Sequence, residues 1–402
     1  MMSLSKKTTV LGYSNAYHLL RRSTYNITKA KILSFSTMTP DDAVTVLFNF
    51  TPPNPPSPLN NSGETIVPTY DAPTITDSQN TTSGSFDLFW WMYHAMKDPS
   101  MQYKIIYLLH LFFVTDDGGN YWTNYDYKEL LRFYSSGSLK DLAIKVTTDP
   151  RMLSYLNNNV NKKNSPNQNY AREFLELFTI LKGPQVDTGN YTNYTELDVQ
   201  QAAKVLTGFT NNSNTYNKVN RLLNVDPVTH LPKGVISTTN HDTGNKTFSS
   251  AFNNAVITGA NTEAAIQTEM ETFISMVFDQ NETSKAYCRK LYHYFVGREI
   301  TPAIEQDIIA PLSVMLKSNN YNILPVIREL LTSSHFYDED DSIIGDEVIG
   351  ALVRSPMEMF FHMFSLLHLQ TPLYEVNPSS MHSFLSVVFS YSYNSGLPVF
   401  RP

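Results

Sequence analysis

The sequence contains one cysteine, Cys288, in 402 residues. A single cysteine excludes an internal disulfide framework and any zinc site built from several cysteines, although it leaves the cellular compartment open. Glycine is also scarce, with 16 residues, and the P-loop, GxGxxG, GxSxG and HExxH patterns are all absent. These absences argue against a glycine loop that cradles phosphate and against the most familiar hydrolase and zinc-protease motifs.

Long apolar runs and runs of like charge are missing as well. The richest apolar segment extends from Ile105 to Val114 and contains His110, which is too short for a membrane span of about 20 residues. No signal peptide is recognisable, so we expect a soluble protein, either cytoplasmic or exported. The 30 basic and 37 acidic residues give a net charge of -7, and this scattered, acidic balance argues against a nucleic-acid partner.

Helical patterns fill most of the chain. Apolar residues recur at helical spacing, and Thr39-Pro40 has the residue types of a helix start. The pattern predicts an all-α fold, with one helical domain over 1–402 and at most a minor β element in an irregular insertion at 210–260. The Pro-, Thr-, Ser- and Asn-rich stretch 51–85 predicts a surface loop, mobile and dispensable for folding, because it has too little apolar surface to bury.

The strongest candidate site is a polar stripe on a predicted helix. Asn169, Arg172, Glu173 and Glu176 follow the i, i+3, i+4, i+7 spacing of one helix face. The opposite face carries the apolar residues Tyr170, Phe174, Leu177 and Phe178. Two neighbouring carboxylates raise each other's pKa, so Glu173 and Glu176 are candidate catalytic acids or bases, with Asn169 and Arg172 as binding residues. The alternative is a structural ion pair or a solvated face.

A second candidate cluster lies near the N-terminus. His18 shares a helix face with Arg21 and Arg22, and two arginines can clamp phosphate, sulfate or carboxylate through paired hydrogen bonds. These residues are therefore candidates for binding an anion. They are equally suited to pair with Glu173 or Glu176, in which case the cluster is structural.

Two further candidates involve histidine. In the segment HDTGNKTF, a turn with Gly244 at positive φ would hold His241, Asp242 and Lys246 in one loop. Histidine and aspartate on a loop make a candidate acid–base pair or metal-ligand pair, with Lys246 as a binding residue. His110 lies within an apolar segment and is either a ligand or a satisfied core residue.

Six sequence blocks occur in an order that resembles a bacterial family called domain of unknown function 1800. The blocks are AYHLLRRSTY (16–25), KIIYLLHLFFVT (104–115), DPRMLSYLNNNVNKKNSPNQNYAREFLELFTI (149–180), YTELDVQQAAKVLTGF (194–209), HDTGNKTF (241–248) and RSPMEM (354–359). The resemblance extends from Ala16 to the C-terminus, apart from the Pro/Thr-rich loop. It implies no activity, because the family has none established.

The resemblance also implies a partner, because family members are often encoded beside a sulfatase- or alkaline-phosphatase-like family, domain of unknown function 1501. Two departures from the family pattern matter. The chain has His110-Leu111-Phe112 where the pattern has His-Asn-His, so the second histidine of a two-histidine metal site is missing. The chain ends at GLPVFRP, where the pattern continues to Gly-Trp, so we expect a C-terminal continuation to be missing here.

Two classes of function remain open on these observations. The first is a hydrolase-type enzyme in which Glu173, Glu176, His110, His241 and Asp242 converge, with a divalent metal as the candidate cofactor. The second is a non-catalytic helical scaffold or binding module. Both would act with the phosphatase-like partner, and the convergence of the side chains distinguishes them because fold alone does not define function.

Overall fold

The structure is a computed structural model that describes residues 4–50, 56–72, 85–212, 217–340, 347–397 and 399–400. The chain divides into two compact units, each assembled from separate stretches of sequence. The first unit comprises residues 1–135, 289–315 and 324–402. The second unit comprises residues 136–288 and 316–323. The predicted organisation as one domain stays a prediction.

Helices are the main regular structure of the chain, which confirms the predicted all-α fold. In chain order the α-helices are α1 (Gly12–Ser23), α2 (Lys29–Ser36), α3 (Pro40–Leu47), α4 (Phe86–Lys97), α5 (Gln102–Phe112), α6 (Tyr121–Phe133), α7 (Leu139–Thr148), α8 (Pro150–Tyr155), α9 (Asn169–Glu173), α10 (Glu196–Val205), α11 (Glu263–Asp279), α12 (Asn281–Phe295), α13 (Pro302–Ile304), α14 (Ala310–Ser318), α15 (Ile323–Thr332), α16 (Pro356–Leu366) and α17 (Pro378–Asn394). Short 3-10 turns lie at Tyr134–Ser136, Asn158–Val160, Asn220–Leu223, Ser250–Phe252 and His335–Tyr337, and π-helical turns at Phe174–Phe178 and Glu305–Ile309.

The β-structure described consists of three short antiparallel pairs in the second unit. The strands are β1 (Gln185–Asp187) with β2 (Asn190–Tyr191), β3 (Phe209–Thr210) with β4 (Val235–Ile236), and β5 (Lys246–Thr247) with β6 (Val256–Ile257). The last two pairs confirm the minor β element predicted near 210–260. The hairpin β1–β2 lies outside that range and was not predicted, because its strands are too short for an alternating pattern to register.

Local sequence explains where several helices begin. The Thr39 hydroxyl accepts a hydrogen bond from the backbone N–H of Asp42, and Pro40 occupies the first turn of α3, as predicted. Asp149 caps α8 by accepting from the N–H groups of two residues in its first turn. Thr195 and Asp198 form a reciprocal capping box at the start of α10.

The predicted surface loop is partly buried. Within its described part, 56–72, Ile66 and Val67 have no exposed surface, and the Tyr121 hydroxyl donates to the Ile66 carbonyl at 3.3 Å. The prediction that this stretch buries no apolar surface is therefore wrong for 56–72. Residues 51–55 and 73–84 lie outside the described residues.

Candidate functional site

The N-terminal arginines lie in the last turn of α1, in the first unit. Arg22 is buried, with 6% of its surface exposed, and Arg21 is half-buried. Arg22 Nη1 donates to the Leu352 carbonyl at 3.4 Å. Burial, with Arg21 close by, lowers the pKa of Arg22 to about 10, so its guanidinium remains charged at neutral pH.

In both arginines, one edge of the guanidinium group makes no hydrogen bond within the described residues. The Nε and Nη2 atoms of Arg21 and of Arg22 are buried, and within the described residues none of the four has a hydrogen-bond partner. These two nitrogens form the side-on fork with which arginine binds the two oxygens of an anion. Leaving a buried donor unsatisfied costs free energy, so two empty forks on consecutive residues call for an acceptor from outside the described chain.

Arg354 adds a third guanidinium from the segment before α16. Its Nη2 donates to the Tyr17 hydroxyl at 3.1 Å, and its Nη1 lies 3.3 Å from Nδ1 of His362. His362 Nε2 faces the Thr24 carbonyl at 3.0 Å. Burial, with Lys104 close by, lowers the pKa of His362 to about 4. His362 is therefore neutral at pH 7, donating from Nε2 and accepting from Arg354 at Nδ1.

A carboxylate near Arg22, that of Glu358, already has partners. Glu358 on α16 forms a buried ion pair with Lys104 on α5, and its second oxygen accepts from the Ser355 backbone N–H at 2.7 Å. Burial raises the pKa of Glu358, but the Lys104 ammonium overrides it and brings that pKa down to about 2. Lys104 and Glu358 neutralise each other. Among the described residues, Arg21, Arg22 and Arg354, here called the arginine cluster, have no carboxylate in an ion pair.

His18 lies beside the arginine cluster without adding charge to it. Its ring packs on Phe336 with centroids 4.5 Å apart, and only 2% of its surface is exposed. Burial, with Arg22 and Arg21 nearby, lowers the pKa of His18 to about 3. His18 is thus neutral, which is what the like charge of the arginines demands.

His110 belongs to a different environment in the first unit. Its ring contacts Phe400 with centroids 4.5 Å apart. Burial, with Lys128 nearby, lowers the pKa of His110 to about 3. Lys128 contacts the carboxylates of Asp87 and Asp117 at 2.6 and 3.3 Å. His110 is therefore a buried neutral side chain next to an ion-pair cluster, and its Nδ1 atom has no hydrogen-bond partner among the described residues. Both interpretations of His110 stay predictions.

The predicted polar stripe of the second unit is interrupted by a π-helical turn. Helix α9 ends at Glu173, and Phe174–Phe178 continues with π geometry. Tyr170, Phe174 and Phe178 are buried as predicted, but Leu177 is 53% exposed. The wider π turn rotates Leu177 away from the apolar face, so that part of the prediction is wrong.

Arg172 and Glu176 have partners other than those predicted. Arg172 Nη2 contacts both carboxylate oxygens of Glu196 at 2.9 and 3.0 Å, where the sequence suggested carboxylates on its own helix. Glu176 forms an ion pair with Lys182 and accepts from the Tyr194 hydroxyl at 3.1 Å. Within the second unit, the Glu176 carboxylate is therefore used by Lys182 and Tyr194.

Glu173 and Asn169 differ in their surroundings. Glu173 is half-buried and accepts no hydrogen bond from the described part of the chain. Burial and the neighbouring Glu176 raise the pKa of Glu173. Asn169 is exposed and donates through Nδ2 to the Leu156 carbonyl at 3.2 Å. The stripe is thus a half-exposed surface with one unpaired carboxylate.

The HDTGNKTF segment forms a buried ionic cluster in the second unit. His241 Nε2 lies 3.1 Å from Glu269 Oε2, and Lys246 Nζ lies 2.6 Å from Glu269 Oε1. His241 and Lys246 have no exposed surface, and Glu269 has 3%. His241 Nδ1 also faces the Thr207 carbonyl at 2.8 Å. We call His241, Lys246 and Glu269 the Glu269 cluster.

Asp242 closes the turn that presents this cluster. Its carboxylate accepts from the Gly244 N–H at 2.9 Å and lies 3.8 Å from Lys246 Nζ. The structure therefore brings His241, Asp242 and Lys246 together as predicted. Gly244 does not adopt positive φ, so the predicted turn geometry is wrong. The aspartate side chain closes the turn instead.

Several residues of these clusters were absent from the sequence-based prediction. Lys104, Arg354 and Glu358 lie in two of the six blocks, KIIYLLHLFFVT and RSPMEM, so a signal was present in the sequence. Glu269 is one of several acidic residues on α11 and lies outside the six blocks, so the sequence does not single it out. Its role depends on the carboxylate reaching Lys246 and His241, which lie 23 and 28 positions earlier in the chain.

The described residues contain no group of three or more His, Cys, Asp or Glu side chains arranged to hold a metal ion. In the same described part of the chain, every helix is too short or too polar to cross a membrane. The predicted convergence of Glu173, Glu176, His110, His241 and Asp242 on one divalent metal thus gains no support from the geometry.

The fold and its clusters define a mostly helical protein in which three clustered arginines have no carboxylate partner among the described residues. The family described as "Protein of unknown function (DUF1800)" matches residues 18–402, and the chain belongs to this family. Comparison with curated proteins and with solved structures gives no significant match.

Proposed function

We propose that this protein is a binding module that takes up a small oxyanion at the arginine cluster. One observation carries the proposal: the side-on forks of Arg21 and Arg22 are buried and unpartnered among the described residues. Three guanidinium groups gather near the Glu358 carboxylate, which is committed to Lys104 and the Ser355 backbone. An oxyanion would supply the missing acceptors and offset the charge.

The test is anion-dependent stabilisation of the purified protein. A ligand that binds only the folded state stabilises it by about 2.7 kcal/mol at a concentration of 100 times Kd. Melting temperature is measured with sulfate, phosphate or acetate against chloride at the same ionic strength. We expect at least one oxyanion to raise Tm in the wild type and to lose this effect in Arg21→Gln and Arg22→Gln. Equal Tm in all salts would overturn the proposal.

Acid–base chemistry at Glu173 is the second candidate function. It is supported by a half-buried carboxylate that accepts no hydrogen bond from the described residues and whose pKa burial and Glu176 raise. Glu176 would then position Lys182, with Arg172 and Asn169 as binding residues. We expect the enzyme to hydrolyse a member of a panel of p-nitrophenyl esters, phosphates and sulfates, and Glu173→Gln to lose that activity. A wholly inactive wild type would contradict this candidate.

Catalytic roles for His241 and Asp242 stay predictions, and the complete burial of His241 and Lys246 favours a structural role for that turn. The partnership with the sulfatase- or phosphatase-like family rests on the resemblance. Its test is co-purification of the two proteins when they are produced together, with an unrelated helical protein as control.

A further inference from the structure

We infer that the arginine cluster is selective for a tetrahedral dianion, a phosphoryl or sulfuryl group, over a carboxylate. This inference rests on the proposed function and specifies its ligand. It is carried by the number of empty forks, by the charge that has no counterion, and by the groups that surround the cluster.

The two guanidinium forks favour a tetrahedral ligand over a planar carboxylate. A carboxylate has two oxygens in one plane, and a single side-on guanidinium fork already engages both of them. Arg21 and Arg22 each offer a complete fork of buried Nε–H and Nη2–H groups. A tetrahedral oxyanion has oxygens on more than one face, so it can accept two forks that approach from different directions. Two empty forks therefore match phosphate or sulfate better than acetate.

The positive charge of the arginine cluster favours a dianionic ligand over a monoanionic one. Lys104 is paired with Glu358, whereas Arg21, Arg22 and Arg354 have no ion pair among the described residues. Burial and the nearby Arg354 lower the pKa of Arg21, and burial and the nearby Arg21 lower the pKa of Arg22. A dianion offsets more of this repulsion than a monoanion does, and the effect is strengthened where burial excludes water.

The neighbouring groups keep the charge of the cluster constant across neutral pH. Burial lowers the pKa of His18 to about 3 and that of His362 to about 4, so both rings are neutral above pH 5. Glu358 is ionised throughout, because its pKa lies at about 2. Arg22 keeps its proton, since its pKa lies at about 10. Any change in affinity between about pH 5 and pH 7.5 therefore reports on the ligand.

The experiment compares sulfate, methyl phosphate and acetate by isothermal titration at about pH 5 and about pH 7.5. A phosphate monoester has its second pKa near about 6, so it is mainly a monoanion at the lower pH and a dianion at the higher. We expect methyl phosphate to bind up to about tenfold more tightly at the higher pH, which is the change in its dianionic fraction, and sulfate to change less than about twofold. Acetate should bind more weakly than sulfate by about tenfold or more at both pH values.

The variants separate fork geometry from charge. Arg21→Lys keeps the positive charge but loses the fork, so we expect its sulfate affinity to fall by about tenfold or more. Arg289 is the matched control, because its Nε and Nη2 form a fork already filled by Glu305 at 2.9 and 2.5 Å. Arg289→Lys should leave sulfate affinity unchanged.

Each outcome decides one question. Acetate binding as tightly as sulfate, or methyl phosphate binding equally at both pH values, overturns the selectivity for a dianion and leaves anion binding intact. Absence of heat and of stabilisation with all three anions overturns the proposed function itself. Sulfate affinity that survives in Arg21→Lys shows that the fork does not contribute and also contradicts the inference.

Discussion

The arginine cluster of the first unit and the Glu269 cluster of the second unit both bury charged side chains, but they differ in how the charges are compensated. In the Glu269 cluster, one carboxylate contacts Lys246 at 2.6 Å and His241 at 3.1 Å. In the arginine cluster, the forks of Arg21 and Arg22 contact no acceptor in the described chain.

This difference separates structural charge from functional charge. A buried carboxylate that satisfies its cations within the fold stabilises one arrangement of the chain and leaves nothing for a ligand. Buried donors without acceptors destabilise the unliganded fold, as is common where a site is held ready for its ligand. Both clusters contain residues from the six sequence blocks, so membership of a block does not distinguish the two cases.

The largest expected effect comes from removing the carboxylate of the Glu269 cluster. Glu269→Ala leaves Lys246 and His241 buried without their carboxylate, and we expect it to lower the free energy of unfolding by about 3–5 kcal/mol. Urea denaturation at unchanged m-value measures this loss. Glu263→Ala, an exposed site in the first turn of the same helix, is the control and should cost less than about 1 kcal/mol. A similar small loss in Glu269→Ala would contradict the structural role.

A second prediction uses a cluster with excess negative charge. Asp87 and Asp117 share Lys128. Burial, with Asp117 nearby, raises the pKa of Asp87 from 3.8 to about 6, although Lys128 opposes the shift. The fold thus holds this proton more tightly than the unfolded chain does. Its contribution to stability is complete below about pH 4 and is lost as pH rises through about 6.

The measurement is the unfolding free energy of the wild type and of Asp87→Asn between pH 4 and pH 7. We expect the wild type to lose roughly 2–3 kcal/mol more than the variant over this range. Asp71→Asn, at an exposed position, is the control and should follow the wild type. A difference between wild type and Asp87→Asn that does not vary with pH would rule out the raised pKa of Asp87.

The third prediction removes one uncompensated charge. Arg22→Met keeps the length of the side chain but deletes the unsatisfied donors, so we expect it to raise the unfolding free energy by about 1–2 kcal/mol in chloride. The same variant should lose its stabilisation by sulfate. In Arg289→Met, removal of a half-exposed pair with Glu305 should cost up to about 1 kcal/mol and keep the sulfate effect. Destabilisation by Arg22→Met in chloride would mean that its donors are satisfied in the fold.

The smallest effect is expected at the polar stripe. Arg172 and Glu196 are each 36% exposed, and ion pairs at that exposure contribute about 0–1 kcal/mol. Arg172→Ala should therefore lower the unfolding free energy by less than about 1 kcal/mol, with a coupling to Glu196→Ala of similar size in a double-mutant cycle. A loss of several kcal/mol would contradict this prediction and support the structural ion pair that the sequence pattern suggested.

Prediction from sequence worked where the cause is local. Thr39 and Pro40 start α3 because a hydroxyl cap and a fixed φ act within one turn. The turn of HDTGNKTF brought His241, Asp242 and Lys246 together because they are neighbours in sequence. Prediction failed at Leu177, because a π turn breaks the regular helical spacing on which the face assignment depended.

The sequence by itself determined the helical character, the helix starts and the presence of two adjacent arginines on α1. Only the tertiary structure decided which charges are compensated. Arg354 reaches Tyr17 across 337 positions of sequence, and Lys104 reaches Glu358 across 254. Pairing over such separations depends on how the helices pack against one another. A carboxylate that pairs with one cation is then not available to another. Whether Arg21 and Arg22 form a binding site or a structural ion pair depends on which carboxylates the packing leaves available, and no local sequence pattern shows this.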